Sequence, residues 1–204
     1  MNDSLISRQQ GLYIDITAYL QHINFAKNCL TAYTALYDNI QNNDQILNHA
    51  AGFFTITQYA LSKCLLLELA KLFCGSGKER TIQKLMGIVQ ANQDAFIKGN
   101  IQLIFKRFQL ELEGVSSIIV KLKVRRDQDL THNDPIFFRG DTNPAEEQYI
   151  SPNECVQLID LVFALCQDLL DCLPKFDSVL LHTGADDFNA FIDKIKQSGC
   201  FDKQ

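Results

Sequence analysis

The sequence predicts an all-α protein, a four-helix bundle with one or two short accessory helices. Apolar residues recur at alternating three- and four-residue steps through four long segments, which is the spacing of one helix face. No run keeps the apolar-polar alternation of a β-strand for long enough to compete. Glycine, proline and a capping sequence mark where several of these segments begin or end.

The totals indicate one globular domain. At 204 residues, with 47% hydrophobic and 21% charged residues, the chain can bury a sizeable core and lacks the composition of a disordered protein. We expect a helical bundle over residues 15–175, an N-terminal extension over 1–14, and a C-terminal extension over 176–204 that contains a short helix. A net charge of -5 at pH 7 argues against a protein that coats nucleic acid.

Cysteine usage predicts a reducing compartment. The seven cysteines form no C-x-x-C pair and fall mostly at apolar positions of helical patterns, as free thiols do. The first residues lack the apolar core of a signal peptide, and no segment has the roughly 18 apolar residues of a membrane span. The sequence therefore predicts a cytoplasmic protein that does not contact a membrane.

The first predicted helix begins at Asp15, which we expect to be its N-cap, and continues for about seven turns. Its apolar stripe is formed by Ile16, Tyr19, Ile23, Ala26, Leu30, Tyr33, Tyr37 and Ile40. The second predicted helix, over residues 45–74, is richer in apolar residues and is expected at the centre of the bundle. Glycines 75 and 77 should end it, because glycine is common just past a helix C-terminus.

A short helix over residues 81–92 leads into the longest predicted element. The apolar stripe of that element comprises Ile101, Phe105, Phe108, Leu112, Val115, Ile119 and Leu122. Arg126 is the next position on the stripe, so we expect its guanidinium to point where the preceding turns point hydrophobic side chains. The helix should end at residues 133–135, because the residue before Pro135 is pushed out of the helical region.

Residues 136–150 form a loop with no recognisable period. The next helix begins with a predicted capping box, in which Ser151 is the N-cap, Pro152 the first helical residue and Glu154 the reciprocal acceptor. Its apolar face consists of Leu158, Leu161, Val162, Leu165, Leu169 and Leu173. A final amphipathic helix over residues 187–197 is expected on the outside of the bundle.

The residues with visible chemistry lie where the third long helix ends. Arg125 and Arg126 carry planar, permanently charged groups that can hold a phosphate at two points. Exposed carbonyls at the helix end favour the protonated form of His132. A histidine that exchanges protons near pH 7 beside such an arginine can cleave RNA without a metal. A base removes the ribose 2'-hydroxyl proton, the hydroxyl attacks the adjacent phosphate, and a cation stabilises the developing charge.

The segment Arg126-Asp-Gln-Asp-Leu-Thr-His132-Asn-Asp134 resembles the signature of the HEPN superfamily. It is most similar to the abortive-infection branch, where "Arg-Asp-Lys, two apolar residues, Ala-His, any residue, Asp" is a common form. The resemblance extends over about residues 15–175. It implies a HEPN-type bundle that forms a homodimer with both motifs facing a shared cleft. It also implies a metal-independent endoribonuclease of a toxin or phage-defence system, with RNA or a nucleotide as ligand, an antitoxin or regulatory protein as partner, and no cofactor.

The same resemblance assigns roles to residues. Arg126 would bind the scissile phosphate, His132 would be the general acid or base, and Asp127 would orient the arginine, with Asp134 closing the motif. Arg125 remains an alternative to Arg126, because the family allows four to six intervening residues. Relatives that are controlled by a nucleotidyltransferase antitoxin carry a modified tyrosine two residues after the histidine. Asp134 occupies that position here, so this form of control is not expected.

Two other interpretations stay open. A catalytically silent HEPN-like module would bind a nucleotide, an RNA or a partner protein. Alternatively, the arginines and His132 only cap the helix end and pair with neighbours such as Asp129. No metal is expected, because Asp129 and His132 have the spacing of one metal half-site and the second half-site is absent.

Overall fold

The computed structural model describes residues 2–42, 44–75, 80–127 and 148–176, and every regular element within these ranges is helical. The helices are α1 (Asn2–Asn42), α2 (Asp44–Phe73), α3 (Ile82–Ala91), α4 (Ile101–Gly114), α5 (Ser116–Arg125) and α6 (Pro152–Asp171), with a 3-10 turn at Gln93–Ala95. The prediction of an all-α bundle is therefore confirmed. None of the described helices combines the length and the apolar content needed to cross a membrane.

Helix α1 begins at Asn2, so residues 2–14 form its first turns. The prediction of Asp15 as the N-cap is wrong, because Asp15 lies inside the helix. The apolar stripe already includes Leu12, which is buried, and buried Gln9 donates a 2.7 Å hydrogen bond to the carbonyl of Ala95. A stripe that continues upstream outweighs a single capping residue in the middle of it.

The core lies between helices that pack against one another in pairs. Helix α1 packs along both α2 and α6, α4 packs on α6, and α5 packs on α2. The predicted stripe of α1 is buried from Ile16 to Leu30, and the predicted apolar face of α6 is buried from Leu158 to Leu173. The short helix α3 is capped at Thr81, whose side chain accepts a hydrogen bond from the backbone N–H of Lys84. The observed ends of α2, α3 and α6 lie within about two residues of the predicted ones.

The third long element is two helices rather than one. Val115 separates α4 from α5 with φ -105° and ψ 9°, far from helical values. Gly114 and two serines flank it, and these residues favour a helix end over a helix interior. The buried residues of α5 are Ile118, Leu122 and Arg125. The predicted stripe position of Arg126 is therefore wrong by one residue.

The predicted capping box at the start of α6 is confirmed. Ser151 Oγ accepts a hydrogen bond of 3.2 Å from the backbone N–H of Glu154, and the N–H of Ser151 donates to Glu154 Oε2 at 2.7 Å. Pro152 occupies the first turn, where its missing N–H costs nothing. The helix therefore has a fixed starting point beside the end of α5.

Several predictions fall outside the described residues. His132, Asp134 and most of the loop over 136–150 lie there, as do the helix expected over 187–197 and nearly all of the C-terminal extension.

Candidate functional site

The described part of the candidate site is the end of α5, which carries Arg125, Arg126 and Asp127. The two arginines are adjacent in sequence but lie in different surroundings. Arg125 is 8% exposed and belongs to the buried face of the helix, whereas the Arg126 side chain is 24% exposed. The helix period explains this difference, since neighbouring residues of a helix point about 100° apart.

Arg125 lines a small cavity between four elements. The cavity has a volume of about 60 Å³, room for a few water molecules. Its lining residues come from α1, α2, the end of α5 and the start of α6: Leu30, Tyr33, Ser62, Leu65, Leu66, Arg125, Tyr149, Ile150, Pro152 and Cys155. Arg125 therefore lies where the end of α5 meets α1, α2 and the start of α6.

Burial controls the titration of the groups that line this cavity. Burial raises the pKa of Cys155 to about 12, and the neighbouring Glu154 charge adds to the effect. The pKa of Tyr33 is also raised, first by burial and then by the nearby Tyr149. Both groups are therefore protonated at neutral pH, and Cys155 is a poor nucleophile because the thiolate is the reactive form.

Arg126 is held by the residue that follows it. Its Nε donates to Asp127 Oδ1 at 2.7 Å, and its Nη2 lies 2.6 Å from the same oxygen. The Asp127 side chain is 44% exposed, so the pair lies at the protein surface. Asp127 holds the guanidinium by this charge-assisted pair and neutralises part of its charge.

The charge of Arg126 acts on Cys74, which lies at the C-terminal end of α2. Burial raises the pKa of Cys74 to about 11, while Arg126 and Lys123 act in the opposite direction and Asp127 adds to the increase. The Cys74 thiol lies 3.9 Å from the carbonyl oxygen of Ile119, which packs α2 against α5. Cys74 therefore contributes packing near the site rather than a thiolate.

Lys121 connects the end of α5 to the start of α6. Its Nζ lies 2.7 Å from Glu154 Oε1, the carboxylate that also completes the capping box. Hydrogen bonds from Lys121 and from the Ser151 backbone lower the pKa of Glu154. Lys121 therefore fixes the positions of two helices and has its charge compensated by Glu154.

The sequence interpretation missed a charged cluster between α1 and α2. Buried Glu68 accepts a 2.9 Å hydrogen bond from His22 Nδ1 and also pairs with Lys71. Burial acts to raise the pKa of Glu68, but the hydrogen bonds from Lys71 and His22 outweigh it and lower that pKa. The available signal was an acidic residue inside the apolar run 65–73, because a buried carboxylate needs partners.

Comparisons with protein-family models, with curated proteins and with solved structures find no match for this chain. Within the described ranges, no group of three or more histidine, cysteine, aspartate or glutamate side chains could hold a metal ion. The residues that suggest a function therefore lie at the end of α5.

Proposed function

We propose that this protein is a HEPN-like, metal-independent endoribonuclease of a toxin or phage-defence system that acts as a homodimer. Arg126 binds the scissile phosphate, His132 is the general acid or base, and Asp127 orients Arg126. The observation that supports this proposal is the position of Arg126 at the surface end of α5, with its guanidinium held by Asp127 six residues before His132.

The contrast with Arg125 supports Arg126 as the phosphate-binding residue. An RNA backbone is bulky and charged, so it needs an accessible guanidinium, and Arg125 is 8% exposed whereas the Arg126 side chain is 24% exposed. Lys123 is exposed on the same helix and adds positive charge near Arg126. We therefore assign Arg125 to packing and Arg126 to the phosphate.

The reaction follows from these groups. In the proposed mechanism, neutral His132 removes the proton of a ribose 2'-hydroxyl, whose oxygen attacks the neighbouring phosphorus. The P–O5' bond breaks, and the leaving oxygen takes a proton from an acid, which is protonated His132 of the partner site or water. Arg126 stabilises the extra negative charge on the phosphoryl oxygens. The products carry a 2',3'-cyclic phosphate and a 5'-hydroxyl.

A second candidate is a catalytically silent module that binds a nucleotide, an RNA or a partner protein. Acidic residues compensate two cations on α5, since Arg126 pairs with Asp127 and Lys121 pairs with Glu154. Compensated cations attract phosphates less strongly than isolated ones. This pairing favours a regulatory module over an efficient nuclease.

Cleavage of a mixed RNA pool in excess EDTA tests the proposal. We expect wild-type protein to leave 2',3'-cyclic phosphate ends, and His132→Ala and Arg126→Ala each to lower the rate by about 100-fold or more. Lys106→Ala, which alters an exposed cation on α4, is the matched control and should keep full activity. Melting curves check that all variants are folded.

Three outcomes count against the nuclease. A folded wild-type protein that binds RNA or nucleotide without cleaving it would favour the silent module. Activity that disappears in EDTA and returns with a divalent metal would contradict the metal-free mechanism. Activity that survives Arg126→Ala but is lost in Arg125→Met, with unchanged melting temperature, would transfer the phosphate-binding role to Arg125.

A further inference from the structure

The four cations in the last turns of α5 differ in how far their charges are compensated. Arg125 is buried, so a bulky substrate does not reach it. Lys121 Nζ lies 2.7 Å from a carboxylate oxygen of α6, and Arg126 is paired with Asp127. Lys123 is exposed, and among the described residues no carboxylate forms an ion pair with it. Lys123 is therefore the cation of this group whose charge is most available to a phosphate.

Lys123 and Arg126 share one side of α5. Residues three apart on a helix are neighbours, with Cβ atoms about 5 to 6 Å apart. Both side chains also act on Cys74, since burial raises the pKa of this thiol whereas Arg126 and Lys123 lower it. The two cations therefore lie together on the side of α5 that is near the C-terminal end of α2.

The two cations have complementary properties as phosphate ligands. Asp127 holds the Arg126 guanidinium and removes part of its charge. Lys123 has a flexible stem that ends in a compact charge with three donors, so it can follow a phosphate whose position varies. Two cations at this spacing can contact successive phosphates of one strand. An RNA held at Arg126 by its scissile phosphate would therefore bring a neighbouring phosphate close to Lys123.

The charge pattern of the chain favours one direction for such a strand. Residues 116–124 contain two lysines and no acidic residue, whereas residues 127–134 contain three aspartates. The exposed residues of α5 that precede Lys123 are Ser116, Ser117 and Val120, and none of them repels a phosphate by charge. Charge therefore favours a strand that continues from Arg126 toward the start of α5.

We propose that Lys123 is a second phosphate-binding residue, and that it contacts the phosphate next to the scissile one. This inference rests on the proposed nuclease function, in which Arg126 binds the scissile phosphate. It makes the substrate an RNA strand with at least two successive phosphates. Lys123 takes no part in proton transfer, so it contributes to binding along the strand rather than to the bond that breaks.

Short substrates with one or two phosphates test the proposal. A dinucleoside monophosphate contains only the scissile phosphate. Two trinucleoside diphosphates, each with a single 2'-hydroxyl at the linkage to be cleaved, add a second phosphate on its 5' or its 3' side. Wild-type protein should cleave one of the two trinucleotides with a kcat/KM about three- to fivefold above that of the dinucleotide in roughly 50 mM salt. This gain should fall by about two- to threefold in roughly 200 mM salt, because salt weakens a phosphate contact.

Three variants identify the residue that produces this gain. Lys123→Gln removes the charge and should bring the kcat/KM values of the dinucleotide and the trinucleotide to within about twofold of each other. Lys123→Arg keeps a cation at this position and should retain most of the gain. Lys106→Gln is the matched control, because Lys106 is an exposed lysine on α4, and it should keep the full gain. Melting curves check that all variants are folded.

Cleavage without a gain in wild-type protein, a gain that persists in Lys123→Gln, or a gain that Lys106→Gln removes equally would overturn the proposal while the nuclease stands. If folded wild-type protein cleaves none of these substrates, the nuclease proposal fails, and binding of a short fluorescent DNA strand then tests Lys123 by itself. The slope of log affinity against log salt should be smaller for Lys123→Gln by about 0.7, the value for one phosphate contact on a single strand. Equal slopes would overturn the assignment of Lys123 as well.

Discussion

The two halves of α2 are both apolar but have opposite surroundings. In the inner half, over 65–73, α1 and α5 cover the helix on different sides, and the buried apolar residues are Leu65, Leu66, Leu69, Ala70, Leu72 and Phe73. In the outer half, over 51–62, no residue is buried. Apolar content alone therefore does not decide which part of α2 is buried. Burial also requires neighbouring helices to pack on that part.

The halves also differ in how they treat charge. The inner half contains Glu68, a buried carboxylate that His22 and Lys71 compensate. The outer half contains no charged residue, even though its side chains could reach water freely. A water-exposed surface usually carries charge, so the uncharged stretch over 51–62 is the more unusual of the two halves.

The largest expected effect separates the two halves directly. Leu69 is fully buried, so Leu69→Ala should lower the free energy of unfolding by about 2 to 5 kcal/mol through lost burial and a cavity. Ile56→Ala should change it by less than about 0.5 kcal/mol in dilute protein. Urea unfolding at low protein concentration measures both. Equal losses would mean that the outer half is covered in the monomer, contrary to the structure.

A smaller effect concerns the buried acid of the inner half. Glu68→Gln should cost about 1 to 2 kcal/mol near neutral pH, because it weakens hydrogen bonds to a charged group. The pKa of Glu68 is lowered in the folded protein, so its contribution is present above the ordinary glutamate pKa and is lost as pH falls through the lowered value.

Unfolding free energies measured from about pH 7 to 3 check this pH dependence. The difference between wild type and Glu68→Gln should shrink as pH falls below about 4.3, and a difference that instead grows over that range would contradict the lowered pKa. Glu111→Gln is the control, because Glu111 is half exposed and its pair with Arg107 contributes little.

The smallest effect concerns the N-cap of α6. The capping box fixes the first turn of α6, which lines the same cavity as Tyr33 of α1. Ser151→Ala should therefore lower the free energy of unfolding by about 1 kcal/mol. Ser117→Ala, at an exposed helical serine on α5, should leave stability unchanged or slightly raised. Denaturant titration of both variants tests the cap, and equal values would show that it contributes nothing.

Much of the fold follows from local signals. The helical period and the capping box at Ser151 each act within a few residues, so the sequence predicts them correctly. Asp15 also has the chemistry of a cap, but the apolar stripe around it continues upstream. The break at Val115 was not predicted, since glycine and serine next to a β-branched residue only weaken a helix and packing decides whether it breaks.

The candidate site shows the limit of that prediction. Arg125 belongs to the buried face of α5, whereas the Arg126 side chain is 24% exposed and pairs with Asp127. The sequence identified both arginines and Asp127 as the residues with visible chemistry. It could not decide which arginine is more exposed. Over seven turns, an apolar pattern locates the buried face of a helix only to within about one residue.

The sequence by itself determined that this chain is helical, where α2, α3 and α6 begin and end, and which residues at the end of α5 carry charge suited to phosphate. These properties depend on interactions between residues a few positions apart. Only the tertiary structure decided that Arg125 is buried, that Glu68 meets His22, and that residues 51–62 of α2 are not buried. These features depend on the lengths and rotations of helices far apart in the chain, which no local pattern encodes.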